Sequence, residues 1–278
     1  MDEKEVEGLI LAAGYSTRFK LFGSDFKKYL LKLNNSNILG YIITGMIKAG
    51  IQKINIIASK ISNNSKYKQI ILNSVLKSGI DSKNFDLNII ENREPYRENG
   101  YSLFLGLNAI SSEYTLLSMA DHIFSKNIFS QLIMNHNKDD VFLATDPLHL
   151  KEPYKVADAT KVYGLNSIII DIGKEISKYN RLDMGAFILR TRVIRNICQE
   201  IELDIYKFGV TNVILLAIES GLNVGYFDFP NVIWLDVDNS SIYHQLRELF
   251  SDSSNNHPFG LYPSKNISYK GKKEKSKK

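Results

Sequence analysis

The segment Leu11-Ala12-Ala13-Gly14-Tyr15-Ser16-Thr17-Arg18 follows an apolar run and ends on a guanidinium. Small residues at 12–14 let a backbone bend closely around a ligand, and consecutive N–H groups there can form an anion nest. Arg18 and, ten residues on, Lys28 add cations suited to a polyphosphate. The plainer reading is a strand end with a surface arginine, and these residues alone leave both open. Two sharper rivals fail. A dinucleotide loop needs three glycines and an acid ending the second strand, where Ser59-Lys60 stands, and a Walker loop needs Gly-Lys-Ser/Thr.

Carboxylates appear at two further places. Asp121 follows the apolar run Leu116-Leu117-Ser118-Met119-Ala120, at the carboxyl edge where α/β sheets bind ligands. Its alternative is a helix cap. Trp234-Leu235-Asp236-Val237-Asp238-Asn239 brings a carboxylate pair just before the last helical pattern. There Asp238 or Asn239 suits an N-cap, while alternation aims Asp236 away from Leu235.

The elements that must position these groups alternate. Apolar runs predict strands over Val6–Ala12, Lys53–Ser59, Asp86–Glu91, Tyr114–Met119 and Val141–Thr145. Helical periodicity lies between them, over Ile38–Ala49, Ser65–Lys77, Tyr101–Ile110 and Asn127–Asn135. That order implies a mostly parallel sheet with helices on both faces. Ala159–Tyr163 and Ser167–Ile172, separated by Gly164-Leu165-Asn166, then predict a hairpin. Asp183–Leu189 returns to the sheet, followed by helices near Val193–Ile201 and Val210–Ser220. Strands at Val224–Phe227 and Val232–Leu235 and a helix over Ser240–Phe250 close the pattern.

Composition bounds the function. With 44% apolar and 23% charged residues in 278, the chain has globular composition, which excludes collagen-like and wholly disordered classes. Its longest apolar runs, Leu9–Ala13 and Val213–Ile218, fall far short of the roughly 20 residues that span a bilayer. Met-Asp-Glu-Lys-Glu at the start has no following apolar region, so no secretory signal is expected there. Cys198 is the single cysteine, and no Cys/His cluster suits zinc. A soluble, cytoplasmic protein whose body is not embedded in a membrane is the expectation. The net charge of +5 does not imply nucleic acid, because residues 265–278 hold seven lysines against one acid, Glu274, and the body is near neutral. Such a tail reads as a solvated end, with an anchor to anionic lipid or to an acidic partner as the alternative.

Leu-Ala-Ala-Gly-x-Ser-Thr-Arg at 11–18, Lys27-Lys28-Tyr29-Leu30, the Asp after the fourth strand and the late Trp-x-Asp together resemble the sugar-phosphate nucleotidyltransferases over nearly all of residues 6–250. Those enzymes join a nucleoside triphosphate to a phosphomonoester and release pyrophosphate. Glu98-Asn99-Gly100-Tyr101-Ser102-Leu103 is similar to the Asn-x-x-Ser-Leu element of cytidylyltransferases. Met119-Ala120-Asp121-His122, Asp158-Ala159-Thr160-Lys161-Val162, Asp171-Ile172-Gly173-Lys174-Glu175 and Leu182-Asp183-Met184-Gly185-Ala186-Phe187 resemble archaeal CTP:inositol-1-phosphate cytidylyltransferases. Three positions depart from the pattern: Ser16 replaces the second glycine, Lys27 a proline and Ala120 a glycine. In many such proteins the enzyme is fused to a membrane-embedded synthase. This chain ends where that domain would begin, so the lysine tail is either a docking remnant or, the reading preferred here, a flexible end.

The resemblance implies a Rossmann-like, GT-A-type nucleotidyltransferase fold in residues 1–250, of α/β class. It has a mostly parallel mixed sheet, helices on both faces and an inserted β-hairpin, and residues 251–278 form a Ser/Asn- then Lys-rich flexible tail. It implies transfer of CMP from CTP to inositol 1-phosphate, giving CDP-inositol and pyrophosphate. A phosphomonoester is already largely dianionic at neutral pH, so no general base is needed. The protein's task is to neutralise charge and align the groups. Leu11, Ala12, Ala13, Gly14, Tyr15, Ser16, Thr17, Asn99, Gly100 and Ser102 would contact the nucleotide. Arg18 would hold its β/γ-phosphates and Lys28 its α-phosphate. Asp121 and Asp236, with Asp238 in reserve, would ligate Mg²⁺. Lys161 would bind the acceptor phosphate and Asp183, next to Gly185, its ring hydroxyls, against the alternative of a solvated strand lysine at 161. His122 reads as a hydrogen-bonding neighbour of the metal site, and Tyr15 and Tyr101 as covers for the base or as packing. Phosphocholine or a hexose 1-phosphate is the alternative acceptor. An inactive nucleotide-sensing subunit is the reading from a different class.

Overall fold

The computed structural model describes residues 6–14, 19, 27–59, 64–77, 80–81, 83, 85–147 and 159–251. The expectations for Tyr15, Ser16, Thr17, Arg18 and the tail beyond residue 251 lie outside them.

The first strand, β1 (Val6–Ala12), shows why its sequence is apolar without alternation. Leu9 and Leu11 pack into one hydrophobic cluster, and Ile10 and Ala12 into another on the opposite face. Helices α1 (Ile38–Lys48), α2 (Asn64–Leu76) and α4 (Phe129–Asn135) cover one side. Helices α3 (Glu98–Ala109), α5 (Thr191–Asp204) and α6 (Val210–Glu219) cover the other. A strand buried on both faces has no solvent side to carry polar residues.

On one side of the sheet, β1 pairs in parallel with β4 (Lys53–Ser59) and β6 (Tyr114–Met119), and β4 with β5 (Asp86–Asn92). The long strand β11 (Arg181–Arg190) then enters antiparallel between β6 and β8 (Val141–Pro147). Next come β12 (Val224–Asp228), parallel to β8, and the hairpin β9 (Lys161–Leu165) and β10 (Ile168–Gly173). The hairpin is bound into the nine-stranded sheet, because β9 also bonds β11 at Arg181↔Val162 and Leu182↔Lys161. Strands β11, β8, β12, β10 and β9 therefore close on themselves, and the loops at their ends face the carboxyl edge of β6. A bidentate pair from Arg181 to Asp228 (2.9 and 3.0 Å), with the guanidinium 4.0 Å over the Tyr226 ring, clamps β11 to β12.

The hairpin turn differs from the one expected at Gly164-Leu165-Asn166, and its first strand begins at Lys161 rather than Ala159. The chain reverses on Asn166 and Ser167, with φ of 50° and 64°, the paired positive values of a two-residue hairpin loop. Gly164 stays in the strand, where an added Cβ would lie 2.6 Å from the Tyr226 ring. One short pair, β2 (Lys32–Leu33) with β3 (Ser36–Asn37), escapes the sequence pattern altogether, and of a second pair, β7 (His122–Phe124) with β13 (Trp234–Asp236), the pattern shows only β13. The strand expected at Val232–Leu235 starts two residues later, because Val232 still donates its N–H to Phe229 within a turn. The last helix, α7 (Ser240–Ser251), is capped by Asn239, whose side chain accepts from Ile242 N at 3.0 Å. Among the described residues no helix is long and apolar enough to cross a membrane.

Candidate active site

The carboxyl ends of β1 and β6 stand side by side, tied by Ala120 N donating to Leu11 O at 3.1 Å. One residue later the chain enters β7, and β7 pairs antiparallel with β13 so that Asp236 lies opposite His122. Asp121, His122 and Asp236 thus offer ligand atoms all within 4.8 Å of one another. Lys28 reaches the cluster from the short 3₁₀ turn Lys28–Leu30, its Nζ 2.6 Å from Asp121 and 2.5 Å from Asp238. The cap reading for the late acids divides: Asn239 is the helix cap, while Asp238 accepts from Lys28.

The charges are interlocked. Burial pushes Asp121 up, but the hydrogen bond and charge of His122 and the charge of Lys28 outweigh it and hold its carboxyl well below the usual range. Burial also opposes the charge on His122, yet Asp236 and the 2.8 Å bond to Asp121 raise its imidazole to about 9. Lys28 is likewise opposed by burial and raised by Asp121, Asp236 and Asp238. Asp236 is pushed up to about 6, by burial first and then by its acidic neighbours against the pull of His122. Its Oδ1 is buried with no hydrogen-bond partner among the described residues. An orphaned carboxylate oxygen beside a second carboxylate is a donor set that fits a hard divalent cation. Asp121 and Asp236 are the residues that would hold it.

A cavity of about 560 Å³ opens from this cluster. Asp183, Thr160 and Lys174 also line it, and the first turns of α6 and α7 contribute Thr211 and Ser241. Asp183 is aimed there by a break in the β11–β8 register between Asp183 and Phe187. Its carboxylate accepts from Gly185 N at 2.7 Å, and burial pushes it up to about 6 against that bond and the charge of His122. Gly185 has φ +72°, and a Cβ there would lie 2.6 Å from His122 Cδ2, so only glycine lets β11 pass so close to the imidazole.

The remaining expected residues scatter. Leu11, Ala12 and Ala13 are buried, and of that segment's described residues only Gly14 is exposed. Asn99 lines the cavity and accepts from Val210 N at 2.9 Å. Gly100 instead packs on Phe208, where a Cβ would lie 2.6 Å from the carbonyl oxygen, and the buried Ser102 hydroxyl accepts from Asn92 at 2.9 Å. Tyr101 lies under the Arg97 guanidinium at 3.8 Å, a packing role. Lys161 turns its ammonium to the carbonyl of Lys174 and does not line the cavity. Lys27 bonds Ser59 at the end of β4, Nζ to Oγ 2.7 Å.

Sequence reasoning assigned no role to Trp234, Thr160, Lys174 or Thr211, all of which line the cavity. The available signal was that Thr160, Lys174 and Trp234 stand in the motifs that carry the family resemblance. Trp234 stacks on His122 with ring centroids 6.0 Å apart and donates to Asp146 at 2.5 Å.

Known proteins are similar to this chain in sequence and in fold. The model of the MobA-like NTP transferase domain matches residues 8–174. The bifunctional IPC transferase and DIPP synthase of Aquifex aeolicus (strain VF5) is 28% identical over 231 residues, covering 83% of this chain and 48% of that protein. The protein of the same name from Archaeoglobus fulgidus is 25% identical over 144 residues, 52% of this chain and 26% of its own. The chain thus spans about half the length, or less, of these curated relatives. In fold it is similar to the inositol-1-phosphate CTP transferase from T. maritima, with a TM-score of 0.72 and 21% identity over 88% of this chain and 96% of that one. A UDP-glucose pyrophosphorylase complexed with UDP-glucose gives 0.71 and 14% over 88% and 98%. With its carboxylates gathered at the edge of a sheet of this kind, and with more than half its length matched by one family, the chain belongs to the MobA-like NTP transferase domain family of nucleotidyltransferases.

Proposed function

We propose that the chain transfers CMP from CTP to inositol 1-phosphate, giving CDP-inositol and pyrophosphate. The observation that carries the reading is a single cavity lined by Asp121, Asp236 and Asp183, with the Lys28 ammonium 2.6 Å from Asp121 where a triphosphate's charge would be met. The similarity to the Aquifex IPC transferase and DIPP synthase and to the T. maritima inositol-1-phosphate CTP transferase supports the choice of nucleotide and acceptor.

An acceptor phosphate oxygen attacks the α-phosphorus of CTP and forms the new P–O–P linkage. The bond from the α-phosphorus to the bridging oxygen breaks, and pyrophosphate leaves with the electron pair. Repulsion between two polyanions is the main barrier, so positioned cations do most of the work. Mg²⁺, when bound by Asp121 and Asp236, supplies charge neutralisation at the phosphates. Lys28, held at the edge of the carboxylates by Asp121 and Asp238, presents a fixed ammonium to the α-phosphate. Arg18 meets the β/γ-phosphates. His122 holds Asp121 in orientation through Nδ1. Asp183, already fixed by Gly185 N, accepts from ring hydroxyls of the acceptor.

The test is a pyrophosphate-release assay that crosses the four nucleoside triphosphates with inositol 1-phosphate, phosphocholine and glucose 1-phosphate. Turnover highest with CTP and inositol 1-phosphate is expected. Preference for another acceptor overturns the substrate, and no pyrophosphate with any pair overturns the activity.

A further inference from the structure

Asp146 buries its carboxyl group completely. It lies near the carboxyl end of β8, opposite Leu182 of β11, and its Oδ2 accepts the indole N–H of Trp234 at 2.5 Å. A carboxyl group taken out of water is costly unless hydrogen bonds compensate it. An apolar residue would fill the same space without that cost, so packing alone does not account for Asp146.

Trp234 links it to the cavity. The indole lines the cavity and stacks on the imidazole of His122, with 14° between the ring planes. Alternation along β13 puts Trp234 and Asp236 on one face of that strand. The imidazole is thereby bounded on three sides. Its Nδ1 bonds Asp121 at 2.8 Å, the indole covers one face, and the Gly185 backbone runs so close that a Cβ there would lie 2.6 Å from Cδ2. A stack by itself lets one ring slide or turn in its own plane over the other. A hydrogen bond at the edge of the ring removes that freedom, and the indole has one N–H, which can only donate. Asp146 takes it.

We propose that Asp146 is a positioning residue of the active site: through the indole of Trp234 it fixes the imidazole that orients Asp121. The inference deepens the function proposed above and rests on the use of Asp121 in that reaction.

The test joins pyrophosphate-release kinetics of the full chain to the emission of Trp234, the single tryptophan. CTP is paired with whichever of inositol 1-phosphate, phosphocholine and glucose 1-phosphate the wild type turns over best. Asp146→Leu removes the acceptor and keeps the bulk. It should lower kcat about tenfold, the lower end of the cost of removing a group that orients a metal ligand, while the acceptor KM stays within about twofold. In the metal-free protein the fluorescence anisotropy of Trp234 should fall, because the freed indole moves on the nanosecond scale. Asp146→Asn, whose amide oxygen still accepts the N–H, should recover most of both losses. Trp234→Phe keeps a ring without the donor and should also lower kcat, which tests the link even where Asp146→Leu fails to fold. The losses of the two variants should not add when they are combined. Wild-type kcat in folded Asp146→Leu or Trp234→Phe, an unchanged anisotropy in Asp146→Leu, or losses that add in full overturn the assignment and leave the transfer reaction standing. A wild type that releases no pyrophosphate with any of the three acceptors overturns the transfer reaction, and this assignment falls with it.

Discussion

His122 and Asp236 stand opposite each other across the antiparallel β7–β13 pair, with Nδ1 of the imidazole 4.0 Å from the carboxylate of Asp236 and 2.8 Å from that of Asp121. One ring nitrogen therefore faces two carboxylates from distant parts of the chain. The pairing of two three-residue strands brings these ligand atoms together.

Asp121 and Asp236 should both be needed for turnover. Asp121→Ala is expected to lose at least about 100-fold in kcat, the scale of removing a preorganised electrostatic element. Asp236→Asn keeps shape but removes a charge, and should raise the Mg²⁺ concentration needed for half-maximal rate. Removal of divalent ions by EDTA should abolish pyrophosphate release, and Mg²⁺ should restore it. Near-normal turnover of a folded Asp121→Ala protein would count against the site.

Gly185→Ala should be costly in two ways. It places a Cβ 2.6 Å from His122 Cδ2 and puts an L side chain at φ +72°. Backbone strain of this kind costs about 1–3 kcal/mol, so urea unfolding should show at least that loss, together with reduced activity as the imidazole moves. Gly221→Ala is the control: the φ is the same, +72°, but nothing lies within 4 Å of its Cβ. It should lose only the backbone part and keep its activity.

Arg181→Ala should loosen the closed set of strands. It removes the bidentate pair to Asp228 and the stack on Tyr226, both partly buried. Hydrogen bonds to charged groups contribute about 1.5–3 kcal/mol each before solvent screening, and these are partly screened, so a total loss of roughly 1–3 kcal/mol is expected. Thermal unfolding read by circular dichroism measures it. A melting temperature equal to wild type would show that β6, β8 and β9 hold β11 without the clamp.

Cys198 should be inert in the native protein. It is fully buried on α5, and burial pushes its thiol far above the ordinary range, so almost none is thiolate near neutrality. A thiol-exchange reagent such as DTNB at pH 8 should react only after denaturant is added. Fast native labelling would mean that α5 opens locally.

Much of this was legible in the residues themselves. Unbroken apolar runs such as Leu9-Ile10-Leu11-Ala12 predict strands covered on both faces, because every side chain must leave water whichever way it points. Asp121 was placed by its position just past β6, and Asp236 by alternation with Leu235, which lies in the core while Asp236 lines the cavity. Both inferences use local periodicity, and local periodicity is written into the chain.

Only the tertiary structure decided the rest. β7 leaves no period of its own, and the alternation in β13 does not say what it pairs with, so their register, and with it the meeting of His122 and Asp236, comes from how β6 and the Phe229–Ile233 stretch deliver them. Lys28 chooses Asp121 and Asp238 because the turn before α1 crosses the sheet edge at that point. Lys161 and Lys174 look alike as lysines on a hairpin, yet one bonds a carbonyl and the other lines the cavity. Gly100 and Ser102 look like a ligand loop, yet Phe208 and Asn92 occupy them. In each case the deciding contact joins separate elements, most of them far apart in the chain, where the energy of a pair depends on which partner the fold brings near, and no spacing within either segment records it.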